Sequence, residues 1–336
     1  MPDITELDKL RLTADFGVLP RVWGDAVTTG IMRRRPEDFQ VAELLPFEPS
    51  GEGEHLFLRI RKTGHNTRWV AKRLADAAGI DYRATGYAGL KDRRAVAEQW
   101  FSLHLPGRDD PVLPEIPGVE VLQQIRHDNK LRTGALAGNR FRLVLHDCTG
   151  DPDTIVERLE RIRAQGAPNY FGAQRFGRDA RNLELLNGDG RIGREARSFG
   201  LSALRSALFN GYIAMRITAG NWAELLDGEV PARGQEHDAP TGLLWGTGEN
   251  RSSGRALEME LAWFSGFSQT CAMLESAGVR MMRRALAVVP EDFSWQLDED
   301  RIELEFGLPR GAYASSIVRE LGDFAEPAPG ESPAQE

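Results

Sequence analysis

Several short stretches of the 336-residue chain alternate hydrophobic and polar positions, and others repeat apolar residues at helical spacing. In HLFLRIRK (55–62), Leu56, Leu58 and Ile60 share one face and His55, Phe57 and Arg59 the other, which predicts a strand. QWFSLH (99–104), residues 119–126, FRLVLH (141–146), SWQL (294–297) and RIELEFGL (301–308) also read as strands, as does the segment after Pro36 in RRRPEDFQVAEL. NTRWVAKRLADAAG (66–79) predicts a helix through Val70, Leu74, Ala77 and Ala78, with Asn66 placed to cap it and Gly79 to end it. Further helices are expected over DTIVERLERIRAQG (153–166, stripe Ile155, Leu159, Ile162), LSALRSALFNGYIAMRIT (201–218, stripe Leu204, Leu208, Tyr212, Met215), residues 256–278 and ASSIVREL (314–321). Residues 1–20 read as an entry arm, 219–255 as a long irregular segment and 326–336 as a disordered tail. The order of elements implies an α+β fold, mostly antiparallel strands with a helical middle, and excludes a regular βαβ nucleotide fold.

The length fits one large domain or two ordinary ones at roughly 150 residues each. Hydrophobic residues make up 41% and charged residues 27%, the balance of a soluble globular protein. No apolar run reaches the roughly 18 residues of a membrane helix. The N-terminal MPDITELDKLRL is charged where a signal peptide is apolar, so a cytoplasmic protein is expected. Cys148 and Cys271 form no CxxC pair, and His55, His65, His104, His127, His146 and His237 have no metal-ligand spacing, so no metal is expected. Net charge is −8, yet it is unevenly spread: +5 over residues 61–100, +6 over 161–220 and −9 over 291–336. Local field, not the total, steers a polyanion. Of 42 basic residues 37 are arginine, which suits forked contacts to phosphate but also follows from genome composition.

Among the motifs, GDGRIG (188–193) matches GxGxxG literally but follows a helix-like segment, so it is a poor dinucleotide site. Asp151 and Asp153 sit where a helix begins and read as capping residues. Ser202, Ser315 and Ser316 lack a GxSxG elbow. GYAGLKDRRAVAEQWF (86–101) sets Asp92 behind Gly86 and Gly89, among Lys91, Arg93 and Arg94. Cations favour an ionised carboxylate available as nucleophile or base, and glycines let backbone approach a ligand. A solvated turn with surface ion pairs fits the same residues. APNYFGAQRFGRDARN (167–182) interleaves Tyr170, Phe171 and Phe176 with Arg175, Arg178 and Arg181. Unpaired RNA bases stack on such rings while arginines hold phosphates, although the rings could equally pack inward. GALAGNRFRLVL (134–145) places Asn139 at the mouth of an apolar strand, which turn chemistry also explains.

Taken in order, PEDFQVAE (36–43), GEGEHLFLRIRKTGHNT (51–67), YAGLKDRRAVAEQW (87–100), GALAGNRF (134–141), PNYFGAQRFGRDARN (168–182), SALRSALFN (202–210) and LPRGAYASSIVREL (308–321) resemble blocks of the tRNA pseudouridine synthase D (TruD) family. The resemblance covers nearly the whole chain apart from its ends and the loop around 219–255. It implies isomerisation of uridine to pseudouridine in the D arm of tRNA, at position 13, without cofactor or metal. It implies a catalytic domain on a bent, mainly antiparallel sheet flanked by helices, discontinuous over 1–165 and 289–336, with an inserted family-specific α+β domain over 166–288. By position, Asp92 matches the family's catalytic aspartate. Phe39, Asn139, Phe141, Tyr313 and Lys91 match or flank residues at the target base, with Phe39 and Tyr313 candidates to stack on it. Arg93, Arg94, Arg175 and Arg178 are candidates for RNA binding. The family commonly has phenylalanine where this chain has Tyr313, whose hydroxyl needs a partner. It usually has threonine at Ala97. The implied partner is tRNA, with no membrane and no obligate protein partner, and a monomer is expected. The basic segments are expected to line one RNA cleft and the acidic segment 291–336 to face away. A non-catalytic RNA-binding protein on the same scaffold is the alternative; it would have no use for a carboxylate beside phosphates.

Overall fold

A computed structural model describes residues 5–186, 192–232 and 238–327. The chain runs α1 (Glu6–Ala14), β1 (Thr28–Met32), β2 (Phe39–Leu44), β3 (His55–Lys62), α2 (Thr67–Ala78), β4 (Thr85–Tyr87), β5 (Val96–His104), β6 (Val119–His127), β7 (Gly138–Thr149) and α3 (Pro152–Gln165). It continues with β8 (Ala167–Pro168), α4 (Arg194–Thr218), β9 (Thr241–Leu244), α5 (Gly254–Phe264), α6 (Ser268–Ser276), β10 (Met282–Ala285) and β11 (Ala287–Val288). β12 (Glu291–Leu297), β13 (Ile302–Pro309), α7 (Ala314–Leu321) and β14 (Gly322–Ala325) complete it. The α+β class read from the sequence is the class observed.

Contacts divide the chain into two compact units. One comprises Ala26–Leu159, Pro290–Gly311 and Leu321–Glu336; the other Met1–Asp25, Glu160–Val289 and Ala312–Glu320. This differs from the expected domain limits at both ends. Residues 1–25 group with the helical unit because Leu10, Ala14 and Leu19 bury into its core. Residues 312–320 do so because Ser316 Oγ donates to Tyr170 O and Arg319 Nε donates to Phe16 O.

The first unit is a ten-stranded sheet with the path β12-β13-β7-β2-β5-β3-β6. β1 joins β7 and β14, and β4 joins β5. Among the described strands of this sheet only β2–β5 and β1–β14 pair in parallel. The alternation in β3 holds: Leu56, Leu58 and Ile60 meet Val70, Ala71, Leu74 and Ala78 of α2. The opposite face is buried as well, since Phe57 packs with Trp100 and Leu131. α2 ends at Gly79, whose φ of +60° is the left-handed conformation that lets the helix stop. Asn66 stands at the N-cap, but its side chain makes no capping bond.

The helical unit centres on α4, with Leu204, Leu208 and Tyr212 buried as their spacing predicts. Gly211 is required by close approach, for a Cβ there would lie 2.2 Å from the Trp263 ring. Three sequence readings change here. The entry arm contains α1, closed by a capping box between Thr5 and Asp8. The single helix expected over 256–278 breaks at Ser265–Phe267. The segment after α4 is organised by the buried Arg216, which pairs with the buried Glu229 at 3.1 Å and donates to Asn221 O and Glu224 O. Asp151 accepts from the Thr154 amide at 2.8 Å at the start of α3, the capping role read from the sequence. Residues 188–191 of GDGRIG, His237 and most of the expected tail (328–336) lie outside the described residues. Among the described residues no helix is long and apolar enough to cross a membrane, and no group of three or more His, Cys, Asp or Glu could hold a metal ion.

Candidate active site

Asp92 lies in the loop joining β4 to β5, and that loop is fastened from below. Lys62, at the end of β3 and fully buried, donates from Nζ to His65 O at 2.8 Å, Asp92 O at 3.1 Å and Lys91 O at 3.4 Å. The Gly64 amide donates to Arg93 O, and the Lys91 amide to Thr67 Oγ1, both at 3.0 Å. Gln99 of β5 donates to Gly89 O at 2.6 Å. Burial pushes the Lys62 ammonium down to about 8, against the opposing pull of Asp92. Gly86 is required by the protein and not by a ligand: a Cβ there would lie 2.2 Å from Leu131 O.

The Asp92 carboxylate is 26% exposed and held at both oxygens. Arg33 Nη1 donates to Oδ2 at 2.8 Å, and the Arg94 amide donates to Oδ1 at 3.0 Å. Arg33 follows β1 with a left-handed φ of +60°, and its guanidinium lies 3.9 Å from the centre of the Phe39 ring. Phe39 in turn meets Phe141 edge to face at 6.0 Å, and Phe141 lies 5.5 Å from Phe306. Arg33 is thus a cation bound directly at Asp92, one that the sequence did not single out. Arg94 turns its guanidinium to Pro327 O at 2.9 Å, and Arg93 is exposed. Glu326 stands 3.6 Å from Arg33, so this member of the acidic segment sits at the site and does not face away.

Lys91 points elsewhere, donating to Asn139 Oδ1 and pairing with Glu43 at 3.2 Å. Glu43, on β2, is buried and also accepts from the Trp100 amide at 3.0 Å. Burial pushes the Glu43 carboxyl up and the Lys91 ammonium down from their ordinary values, and their mutual attraction opposes both shifts. Ala97 is fully buried, paired to Val41 of β2 and Lys62 of β3.

Asp92, Lys91, Asn139, Phe39 and Phe141 thus come together within the sheet unit. Tyr313, Arg175 and Arg178 belong to the helical unit. There the Tyr313 hydroxyl finds its partner, accepting from Arg175 Nε at 3.1 Å. Arg175 Nη1 also donates to Ser202 Oγ at 3.0 Å. Tyr313 meets Phe171 at 6.0 Å, and the half-buried Arg284 lies 4.3 Å from the Phe171 ring centre. Burial pushes the Arg284 guanidinium down to about 10. Arg178 is exposed. Tyr170, Phe171 and Phe176 are buried, so these rings do pack inward.

Sequence reasoning missed Arg33, Lys62 and Glu43. Arg33 sits in an arginine run that signals only the approach to Pro36. Lys62 carried a detectable signal, a lysine at an inward register of an alternating strand. Glu43 likewise follows the inward positions Phe39 and Val41 of β2.

Fold and site define an α+β protein whose sheet presents a half-open carboxylate, bound by arginine, beside aromatic rings. The model of the family described as tRNA pseudouridine synthase D (TruD) matches residues 16–188. A tRNA pseudouridine synthase D of Aeromonas salmonicida is 44% identical over 324 residues, covering 89% of this chain and 92% of the relative. One of Methylococcus capsulatus is 42% identical over 337 residues, covering 92% and 95%. The crystal structure of a putative tRNA pseudouridine synthase D of Methanosarcina mazei shares the fold, with a TM-score of 0.67 at 19% identity, covering 95% of this chain and 98% of that one. The chain belongs to the tRNA pseudouridine synthase D (TruD) family.

Proposed function

We propose that this protein is a tRNA pseudouridine synthase that isomerises a D-arm uridine, at position 13, with Asp92 as its catalytic group. The observation that carries the reading is the Asp92 carboxylate, fixed by Arg33 and the Arg94 amide yet about a quarter exposed. The reaction breaks the bond from N1 to C1′ and forms one from C5 to C1′, while C5 loses a proton and N1 gains one. Substrate and product are isomers, so the overall change consumes no cofactor. The carboxylate can start it by attacking C1′, by attacking C6, or by removing a sugar proton to give a glycal.

The target base must leave its stack, which costs a few kcal/mol. The family resemblance offers Phe39 and Tyr313 as rings to replace that stacking. Lys91 and Asn139, held on Glu43, offer polar groups to the edge of the base. Arg93, Arg94, Arg175 and Arg178 serve the RNA backbone. The setting is the cytoplasm, with a monomeric enzyme needing no obligate protein partner.

The test compares wild type with Asp92→Asn on unmodified tRNA, with no metal or cofactor added and the modified position mapped. The expected result is pseudouridine in the D arm with wild type, and tRNA binding without product with the variant. Binding without modification by either protein would favour the RNA-binding alternative.

A further inference from the structure

Beside the Asp92 loop the first half of α2 carries an aromatic column that the core does not use. The His65 ring stacks on Trp69 with centroids 4.2 Å apart and planes within 6°, and Arg73 lies 5.2 Å from the Trp69 ring. His65 is fixed by a 2.8 Å bond from its Nε2 to Pro117 O. Trp69 is 37% exposed, whereas the residues that bury α2 against the sheet are Val70, Ala71, Leu74 and Ala78. Arg68, Lys72 and Arg73 are exposed around it, and no acidic residue occurs from Arg61 to Ala75. A large ring held out of the core and surrounded by cations suits a nucleic-acid strand, since bases stack on it while phosphates meet the cations.

The column is also tied to the catalytic loop. Lys62 Nζ bridges His65 O and Asp92 O, and Thr67 and Gly64 bind the Lys91 amide and Arg93 O. A nucleotide stacked there is thus held at a set distance from one presented to Asp92.

We propose that His65, Trp69, Arg68, Lys72 and Arg73 form an RNA subsite that stacks an unpaired base of the tRNA and grips its flanking phosphates. The proposal rests on the tRNA reading above and extends it to a surface beside the Asp92 loop. It commits to single-stranded or extruded nucleotides, because a duplex keeps its base faces covered.

The test measures tRNA affinity over a range of salt for wild type, Trp69→Ala, Trp69→Phe and Lys72→Ala/Arg73→Ala, alongside pseudouridine formation by wild type. Trp69→Ala is expected to bind about tenfold more weakly with an unchanged salt slope, and Trp69→Phe to recover most of the loss. The double variant is expected to reduce the slope by roughly 1.5. Quenching of tryptophan emission by tRNA should be smaller in Trp69→Phe than in wild type. Wild-type affinity and slope in all variants, with wild type still making pseudouridine, would overturn the subsite alone. Weakened binding by Trp69→Ala in a protein that makes no pseudouridine would leave the subsite standing and overturn the reaction. A wild type that binds no tRNA would overturn both.

Discussion

At Asp92 the cations face carboxylates: Arg33 holds Asp92, and Lys91 holds Glu43. Around Phe171 they face rings and neutral oxygens. Arg175 meets Tyr313 and Ser202, and Arg284 meets Asn169 and the Phe171 ring. Opposite charges at close range cancel each other's distant field and fix a geometry. Cations packed on neutral groups keep their field, which acts on a polyanion from afar. On the proposed function, the Asp92 region would orient one carboxylate and the Phe171 region would attract RNA.

Exchanging substitutions between the two regions should separate these roles. Arg33→Ala is expected to have the largest effect, lowering the single-turnover rate of pseudouridine formation by about 10²- to 10³-fold with a much smaller loss of tRNA affinity. Arg175→Ala is expected to invert that ratio, weakening binding and reducing its salt slope by about 0.7 to 0.9. A similar split in both variants would dissolve the contrast.

Lys62→Met probes what the contrast depends on, the anchored loop. It strips donors from the His65, Lys91 and Asp92 carbonyls and should cost about 1–3 kcal/mol in urea unfolding at pH 7. Lys62 has its proton affinity lowered on folding, to about 8 from 10.5. Between those values the unfolded chain keeps a proton that the folded chain has shed, so this group makes stability rise with pH across that window and leaves it flat below. The gap between wild type and Lys62→Met should consequently widen from pH 7.5 to 9.5. The smallest effect is expected from Tyr313→Phe, which removes one hydrogen bond that the Arg175 guanidinium donates and should weaken tRNA binding about two- to tenfold. An unchanged affinity there, with Arg175→Ala impaired, would show that Ser202 and Phe171 suffice to set the guanidinium.

Local patterns made much of the fold legible. The alternation of β3 and the stripes of α2, α3 and α4 are consequences of each element burying one face, which neighbouring residues record. β1 and the edge strand β14 escaped because their pairing joins distant segments and neither alternates. α1 escaped because only Leu10 and Ala14 mark its buried side. At the site, Asp92 with its cationic neighbours stood out chemically, while the roles of Phe39, Asn139, Phe141 and Tyr313 came from family blocks. Arg33 was illegible for a physical reason: it reaches Asp92 across 59 positions of chain, through a backbone turn that arginine rarely adopts.

The parallel pairing of β1 with β14 also bears on how the molecule is made. Thr28 lies opposite Gly322, so β1 finds this neighbour only after the whole stretch between them has been made. During synthesis β1 can pair with β7, but its other edge stays bare while Glu160–Val289 of the helical unit emerges. Arg33 sits one residue beyond β1, so the group that orients the Asp92 carboxylate hangs from a strand whose second neighbour is made only with β14. Truncated chains lacking β14 should carry an intact Asp92 loop on an unfinished sheet, a template for pairing with other chains.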